Sequence, residues 1–356
     1  MHSLLALCTN AQANQIQTVE QAFLKCKTTY PSEFESRKRL ACFDSIEAVS
    51  TDTVNPTITE NNAEDANTIA VTNTNPEHGF LERKWRLTSE GDWNISDFET
   101  YKSNYLLITS SNNPDDTPLS PTHANTADRN LSNNDLRFQF SLKTELMNNI
   151  PLIRNLPYVT SSRLWAAYTQ QSSWQFFSPG ASRPLRENDY EPELILSLGI
   201  DNEVDGVRKK IIPRMLNVGV VHQSNGQSNP LSRSWNRAYL QGGWELSNQL
   251  TLTVRPWWRI PENSHGDDNP DIDKYLGYGD MSLRWEDIGH KTAASVLLRN
   301  NLRSDNKGFM QFDLQRQVFT DRNINLHLLL SSGYGESLLD YNHRQNVVGL
   351  GISLGE

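Results

Sequence analysis

No apolar run in the sequence approaches the roughly 18 residues that a transmembrane helix needs, and charged residues interrupt every greasy stretch. A helical membrane protein is therefore excluded. Concentrated positive charge is also missing: 33 Lys and Arg stand against 42 Asp and Glu, a formal charge of −9, and no basic run exceeds Arg208-Lys209-Lys210. Nucleic-acid binding leaves a basic footprint, so that partner is excluded as well. Cysteine is scarce, with three in 356 residues, and no aromatic residue occurs between Asp44 and Gly79. What remains is a soluble globular protein or a β-barrel, whose strands need only every second residue to be apolar and so escape hydropathy averages.

The N-terminal region divides by composition. Residues 1–13 hold a short apolar run and Ala11-Gln12-Ala13, which suits cleavage after Ala13. The run is short and lacks a basic lead, so the expectation is the remnant of a signal peptide. Cys8 follows Leu7, where a lipoprotein signal wants a small residue, and lipidation is not expected. Residues 14–50 carry two helix-start signals, Thr18-x-x-Gln21 and Ser32-x-x-Glu35, each ahead of a cysteine. Two short helices joined at Pro31 and stapled by Cys26 and Cys42 are expected, the bridge contributing about 3 kcal/mol in an oxidising compartment. Two reduced, buried thiols are the alternative. Residues 51–80 contain seven Thr and six Asn with scattered apolar positions, too little to form a core. They read as a linker ahead of a main domain over 81–356.

In that domain the period of the pattern is two. Leu136 to Lys143 alternates apolar and polar without error, as a strand with one greasy and one wet face requires. Leu216, Val218 and Val220 share a face, as do Leu250, Leu252 and Val254, then Ile324, Leu326, Leu328 and Leu330, and finally Val348, Leu350, Ile352 and Leu354. Twelve such segments are expected, near 102–109, 135–147, 159–174, 190–201, 210–224, 234–246, 248–259, 275–286, 290–301, 308–319, 323–334 and 343–354. An even count suits a closed bacterial barrel. Arg137, Lys143, Thr251, Arg255 and His327 on the opposite faces suit a polar lumen, while Trp257, Trp258, Tyr275 and Tyr278 suit an aromatic girdle. A soluble β-sandwich is the competing architecture, since soluble sheets also alternate.

Two polar residues fall where the alternation places lipid. Continuing Leu216, Val218 and Val220 by two gives His222, then Ser224. Residues two apart on a strand point the same way about 6 to 7 Å apart, which sets a base beside a nucleophile. A turn from Asn225 to Arg233 returns the chain. If the hairpin is symmetric, Asn236 lies opposite His222 and faces outward with Ala238 and Leu240. Its amide oxygen then accepts from the second imidazole nitrogen and fixes the tautomer that lets the first take the serine proton. A carboxylate there would stabilise the imidazolium better but would set a charge against lipid. A surface hairpin explains an isolated His-x-Ser pair equally well.

The stretch His222-Gln-Ser224-Asn-Gly-Gln-Ser-Asn-Pro-Leu-Ser-Arg-Ser-Trp-Asn236 resembles the signature of the outer-membrane phospholipase A family. Tyr168-Thr-Gln170, Trp174-Gln175, Arg186-Glu187-Asn-Asp-Tyr-Glu-Pro192, Asp267-Asp-Asn-Pro-Asp271 with Lys274-Tyr275, and Ser332-Gly-Tyr-Gly-Glu-Ser337 with Asp340-Tyr-Asn342 extend the likeness in order over most of residues 95–356. The resemblance implies an all-β fold, a twelve-stranded antiparallel transmembrane β-barrel in the Gram-negative outer membrane, here preceded by the helical hairpin. It implies phospholipase A1 and A2 activity on phospholipids and lysophospholipids, with Ser224 as nucleophile, His222 as base and Asn236 as orienter. It also implies a calcium-dependent homodimer. Ser182 of one subunit and Gln227 of the other would hold the ion through backbone oxygens, together with the Ser232 hydroxyl, and Asp268 marks an alternative site in the monomer. Gln227 stands where relatives carry Arg, a change that a carbonyl ligand tolerates. Gln170, sharing parity with Leu164, Ala166 and Tyr168, falls by resemblance at the dimer interface.

Asp267, Asp268, Asn269 and Asp271 fail as a helix-loop-helix calcium loop, because Ile272 replaces the required Gly and Tyr278 the closing Glu. The chain closes on Leu354-Gly355-Glu356 rather than on the terminal aromatic common in such barrels, so looser assembly recognition or a differently read last strand is expected. A non-catalytic barrel, porin or structural, is the alternative function.

Overall fold

The computed structural model describes residues 79–88, 97–123, 129–153, 155–176, 185–204, 207–263, 266–319 and 322–354. The expected signal remnant, the Cys26–Cys42 hairpin and all but the end of the expected linker lie outside the described residues. Among the described residues there are fifteen strands: β1 (Phe98–Thr100), β2 (Asn104–Ser111), β3 (Asn134–Asn148), β4 (Val159–Trp174), β5 (Glu187–Ile200), β6 (Glu203–Val204), β7 (Val207–Arg208), β8 (Met215–Ser224), β9 (Ser234–Glu245), β10 (Leu250–Ile260), β11 (Gly279–Asp287), β12 (Thr292–Asn300), β13 (Gly308–Gln317), β14 (Ile324–Tyr334) and β15 (Arg344–Leu354). Two short helices, α1 (Phe80–Trp85) and α2 (Asp273–Leu276), complete the list.

β2 to β5 and β8 to β15 form a closed antiparallel barrel of twelve strands: β15 returns to pair with β2, and β3 with β4. β1 also pairs with β3, so the first strand is broken at Tyr101, Lys102 and Ser103. β6 and β7 make a separate small hairpin. The strand expected from 210 starts at Met215 instead. Ile212 N–H donates to the Lys209 carbonyl in a turn, and Pro213 has no N–H to give to a ladder.

The alternation sorts side chains as expected. Leu106, Ile108, Leu326, Val348, Leu350 and Ile352 point outward and are about half exposed, whereas Arg137, Ser141, Lys143, Thr251 and His327 are buried within the lumen. An outer wall this apolar wants hydrocarbon. The lumen is held by paired charges: Lys143 Nζ lies 2.9 Å from Glu99, Arg163 is 2.7 Å from Glu145 and Arg255 is 2.6 Å from Asp280. Removing one partner of such a pair leaves a buried charge uncompensated.

Among the described residues, apolar clusters pack at both ends of the lumen. At the end where β8 begins, α1 drives Leu81 and Trp85 into a buried cluster with Tyr101, Trp165, Ile195 and Met215. α1 begins at Phe80, the last residue assigned to the linker. At the opposite end Val221, Trp235, Tyr239 and Trp257 pack with Ile272, Leu276, Leu338 and Tyr341 from the loops. A cavity of about 400 Å³ lies inside, lined by groups such as Lys102, Glu191, Arg237 and Arg255. The aromatic girdle is thus only half realised. Trp258 and Tyr278 are exposed on the outside, but Trp257 faces the lumen and Tyr275 packs beside the inner cluster. Adjacent residues on a strand face opposite ways, so Trp257 and Trp258 were bound to separate.

Candidate active site

The site stands on the β8–β9 hairpin at the mouth opposite α1. Its register is the symmetric one: His222 pairs with Asn236 and Ser224 with Ser234. Val221, Trp235, Arg237 and Tyr239 fill the lumen side, while Val218, Val220 and Leu240 are exposed outward. His222, Ser224 and Asn236 continue that outward face, so three polar groups lie on the membrane-facing wall.

His222 Nδ1 and Asn236 Oδ1 are 2.8 Å apart. An amide oxygen only accepts, so Nδ1 is the donor of this pair, and in the neutral ring the lone pair then lies on Nε2. The Ser224 hydroxyl is tied by no hydrogen bond to another described residue, and it stands two positions along the face from the imidazole. On the other side, the β5–β8 pairing lapses between Tyr190↔Ser224 and Glu193↔Val221, where Pro192 offers no N–H.

The turn after Ser224 is built by Asn225. Its side chain accepts from the N–H groups of Gln227 at 3.3 Å and Arg233 at 2.9 Å and donates to the Leu231 carbonyl at 2.8 Å. Gly226 has φ +62°, and a Cβ there would stand 2.9 Å from the Tyr190 ring. Gly is required twice over, by conformation and by space.

Of the expected calcium ligands, two are brought together: Ser232 Oγ donates to Asp268 Oδ2 at 2.6 Å. Asp268 Oδ1 meets His123 Nε2 at 2.9 Å, and Thr122 Oγ1 donates to the carbonyls of Asp267 and Asp268. Gln227 lies in the same turn and sends its side-chain amide to the Arg186 carbonyl at 3.2 Å. Ser182 lies outside the described residues. Among the described residues no cluster of three or more His, Cys, Asp or Glu forms a ready-made metal cage. Gln170 sits on the outer wall of β4, bonded to Tyr168 and Ser172 at 3.2 Å each.

One residue escaped the sequence reading. Glu262, two positions past the end of β10, accepts from Asn236 Nδ2 at 2.6 Å. Burial, and then the Asp267 carboxylate, push the Glu262 carboxyl above its ordinary range, against the pull of Arg259. The signal was available. Leu250, Leu252, Val254, Pro256, Trp258 and Ile260 share one parity, and the next position on it is Glu262.

The class in view is an outer-membrane barrel with a polar, membrane-facing His222–Asn236 pair beside Ser224. The profile of the phospholipase A1 family matches residues 81–354. A relative from Neisseria meningitidis is 36% identical over 252 residues, 69% of this chain and 62% of its own length. The phospholipase A1 of Salmonella typhimurium is 34% identical over 256 residues, 72% of this chain and 81% of that protein. The solved structure of the Salmonella typhi outer membrane phospholipase, a dimer with bound calcium, superimposes with a TM-score of 0.62 at 32% identity, covering 75% of this chain and 95% of its own. The chain belongs to the phospholipase A1 family and is an outer-membrane β-barrel phospholipase of the Gram-negative type.

Proposed function

We propose that the chain cleaves acyl esters of phospholipids and lysophospholipids through a serine acyl-enzyme, at both the A1 and A2 positions, with Ser224, His222 and Asn236 as the triad. The observation that carries the reading is the 2.8 Å contact of His222 Nδ1 with Asn236 Oδ1, on the wall that faces the membrane. Ser224 Oγ attacks the ester carbonyl carbon as its proton passes to His222 Nε2. The tetrahedral species collapses when His222 returns that proton to the leaving alkoxide, releasing a lysolipid. Water then attacks the acyl-enzyme, giving a proton to His222, which passes it to the departing Ser224 Oγ as the fatty acid is released. Asn236 holds the imidazole in the productive tautomer throughout. On the outer wall the site meets substrate in the leaflet that contains it.

Calcium fits the residues present. The Ser232 and Asp268 oxygens lie 2.6 Å apart; the dimer's site would take the Ser232 hydroxyl with the backbone oxygens of Ser182 of one subunit and Gln227 of the other, and the monomer's site Asp268, all oxygen donors suited to a hard cation. When bound, calcium would act as a Lewis acid that eases the build-up of negative charge on the reacting ester. Because the dimer's site as read takes ligands from both subunits, the active form is read as a homodimer, with Gln170 on the shared face and Asp268 as the monomer's site. The reading keeps residues 1–13 as a signal remnant, 14–50 as a helical hairpin and 51–80 as a linker before the barrel domain. Turnover of a thioester phospholipid analogue by detergent-purified protein, lost in Ser224→Ala, tests it.

A further inference from the structure

We infer that Glu262 is a positioning residue, a fourth member of the array that sets the direction of every hydrogen bond in the His222–Asn236 pair; this rests on the triad reading above. A side-chain amide has two chemically different ends of nearly the same shape. With only an imidazole beside it, Asn236 has nothing to decide which end faces the ring, and the wrong end would put an N–H against Nδ1. The proton would then sit on Nε2, and the base would be lost.

Glu262 removes that freedom. A carboxylate accepts and does not donate, so Asn236 Nδ2 must face Oε1, at 2.6 Å. Oδ1 is thereby turned to His222, 2.8 Å from Nδ1, and the imidazole proton is held on Nδ1. The lone pair of Nε2 is left for the serine. Charge-assisted bonds are the shorter and stronger kind, and 2.6 Å belongs to that class.

The placement follows from the barrel. Ile260 pairs with Asn236 across the β9–β10 ladder. Two residues further along the same outward parity, Glu262 is a diagonal neighbour of Asn236, within reach of a long side chain. It also lies beyond the last residue of β10, outside the strand. A full negative charge opposite His222 would stand against lipid. Here the neutral amide meets the membrane-facing ring, and the charge is set one residue further out. Arg259 turns its Nη2 to Asp267, at 2.6 Å, which leaves the Glu262 carboxylate to Asn236.

The test compares Glu262→Ala and Glu262→Gln with wild type, each also in an Asn236→Ala background, with Ser224→Ala as reference, on a thioester phospholipid in detergent micelles with calcium. Thermal unfolding of each variant verifies the barrel. Glu262→Ala is expected to lower kcat about tenfold to a hundredfold with little change in KM, the range of a lost charged hydrogen bond. Glu262→Gln keeps an acceptor oxygen and recovers most of the loss. In the Asn236→Ala background the Glu262 substitutions have no further effect. Wild-type kcat in Glu262→Ala overturns the inference, as does an equal loss with and without Asn236, which would mean that Glu262 acts on something else. Either result leaves the triad standing as long as Ser224→Ala is inactive. Full activity in both Ser224→Ala and Asn236→Ala would overturn the triad and this inference together.

Discussion

Ser232 donates its hydroxyl to Asp268 at 2.6 Å, tying the turn of the β8–β9 hairpin to the loop before α2. Those two residues were singled out for calcium on sequence grounds, 36 positions apart, and the fold makes them partners. Ser232→Ala and Asp268→Asn are expected to raise the calcium concentration for half-maximal turnover by about tenfold or more, in the range for lost metal-site partners. A calcium titration of hydrolysis checks this; unchanged titration curves would place the ion elsewhere.

Asn236→Ala removes the acceptor of the His222 Nδ1 proton. A hydrogen bond of this kind is worth about 1 kcal/mol net, with more at stake when it sets a tautomer. We expect kcat to fall at least as far as in Glu262→Ala, about tenfold or more, at unchanged KM, read from detergent kinetics.

Arg186 and Asp340 are both almost wholly buried and paired at the mouth beside the active-site turn. Asp340→Ala removes the nearest carboxylate from the buried guanidinium and leaves Asp135, 3.7 Å away, as its remaining ion-pair partner. A loss of about 3 to 5 kcal/mol is expected, the range for breaking a buried pair. Denaturant unfolding in detergent measures it, and a loss under about 1 kcal/mol would mean that water already reaches the pair.

Leu350 lies mid-strand on the outer wall and is 54% exposed. Leu350→Arg is expected to cost about 2 to 4 kcal/mol on folding into lipid vesicles, as for a charge near the bilayer midplane. A soluble sheet would accept an exposed arginine at almost no cost. No conductance in a planar bilayer is expected, because Leu81 and Trp85 of α1 pack at one end of the lumen and Trp235, Trp257 and Tyr341 at the other.

Much of this was legible because a strand's period is two. Once Leu216, Val218 and Val220 face lipid, His222 and Ser224 have no other side to occupy, and a symmetric turn places Asn236 opposite His222. The same arithmetic reaches Glu262 from Ile260, but only for a strand whose parity is followed past its end. Other features depend on tertiary contacts that no period encodes. Trp257 turns inward although it suits a girdle, because it shares the parity of the lumen side and packs against Trp235, with ring centroids 6.2 Å apart. The meeting of Asp268 with Ser232 and His123 joins three loops, and loop closure carries no repeating signal. The six residues of α1 are too few for a helical stripe to stand out, and the lumen that receives them is what makes them a helix.

The most direct test of the account is hydrolysis of a thioester phospholipid by detergent-purified protein, in calcium and in excess chelator, for wild type and Ser224→Ala. The account predicts turnover that requires calcium and disappears in the variant. Equal turnover in Ser224→Ala, or none in wild type under any condition, would contradict it.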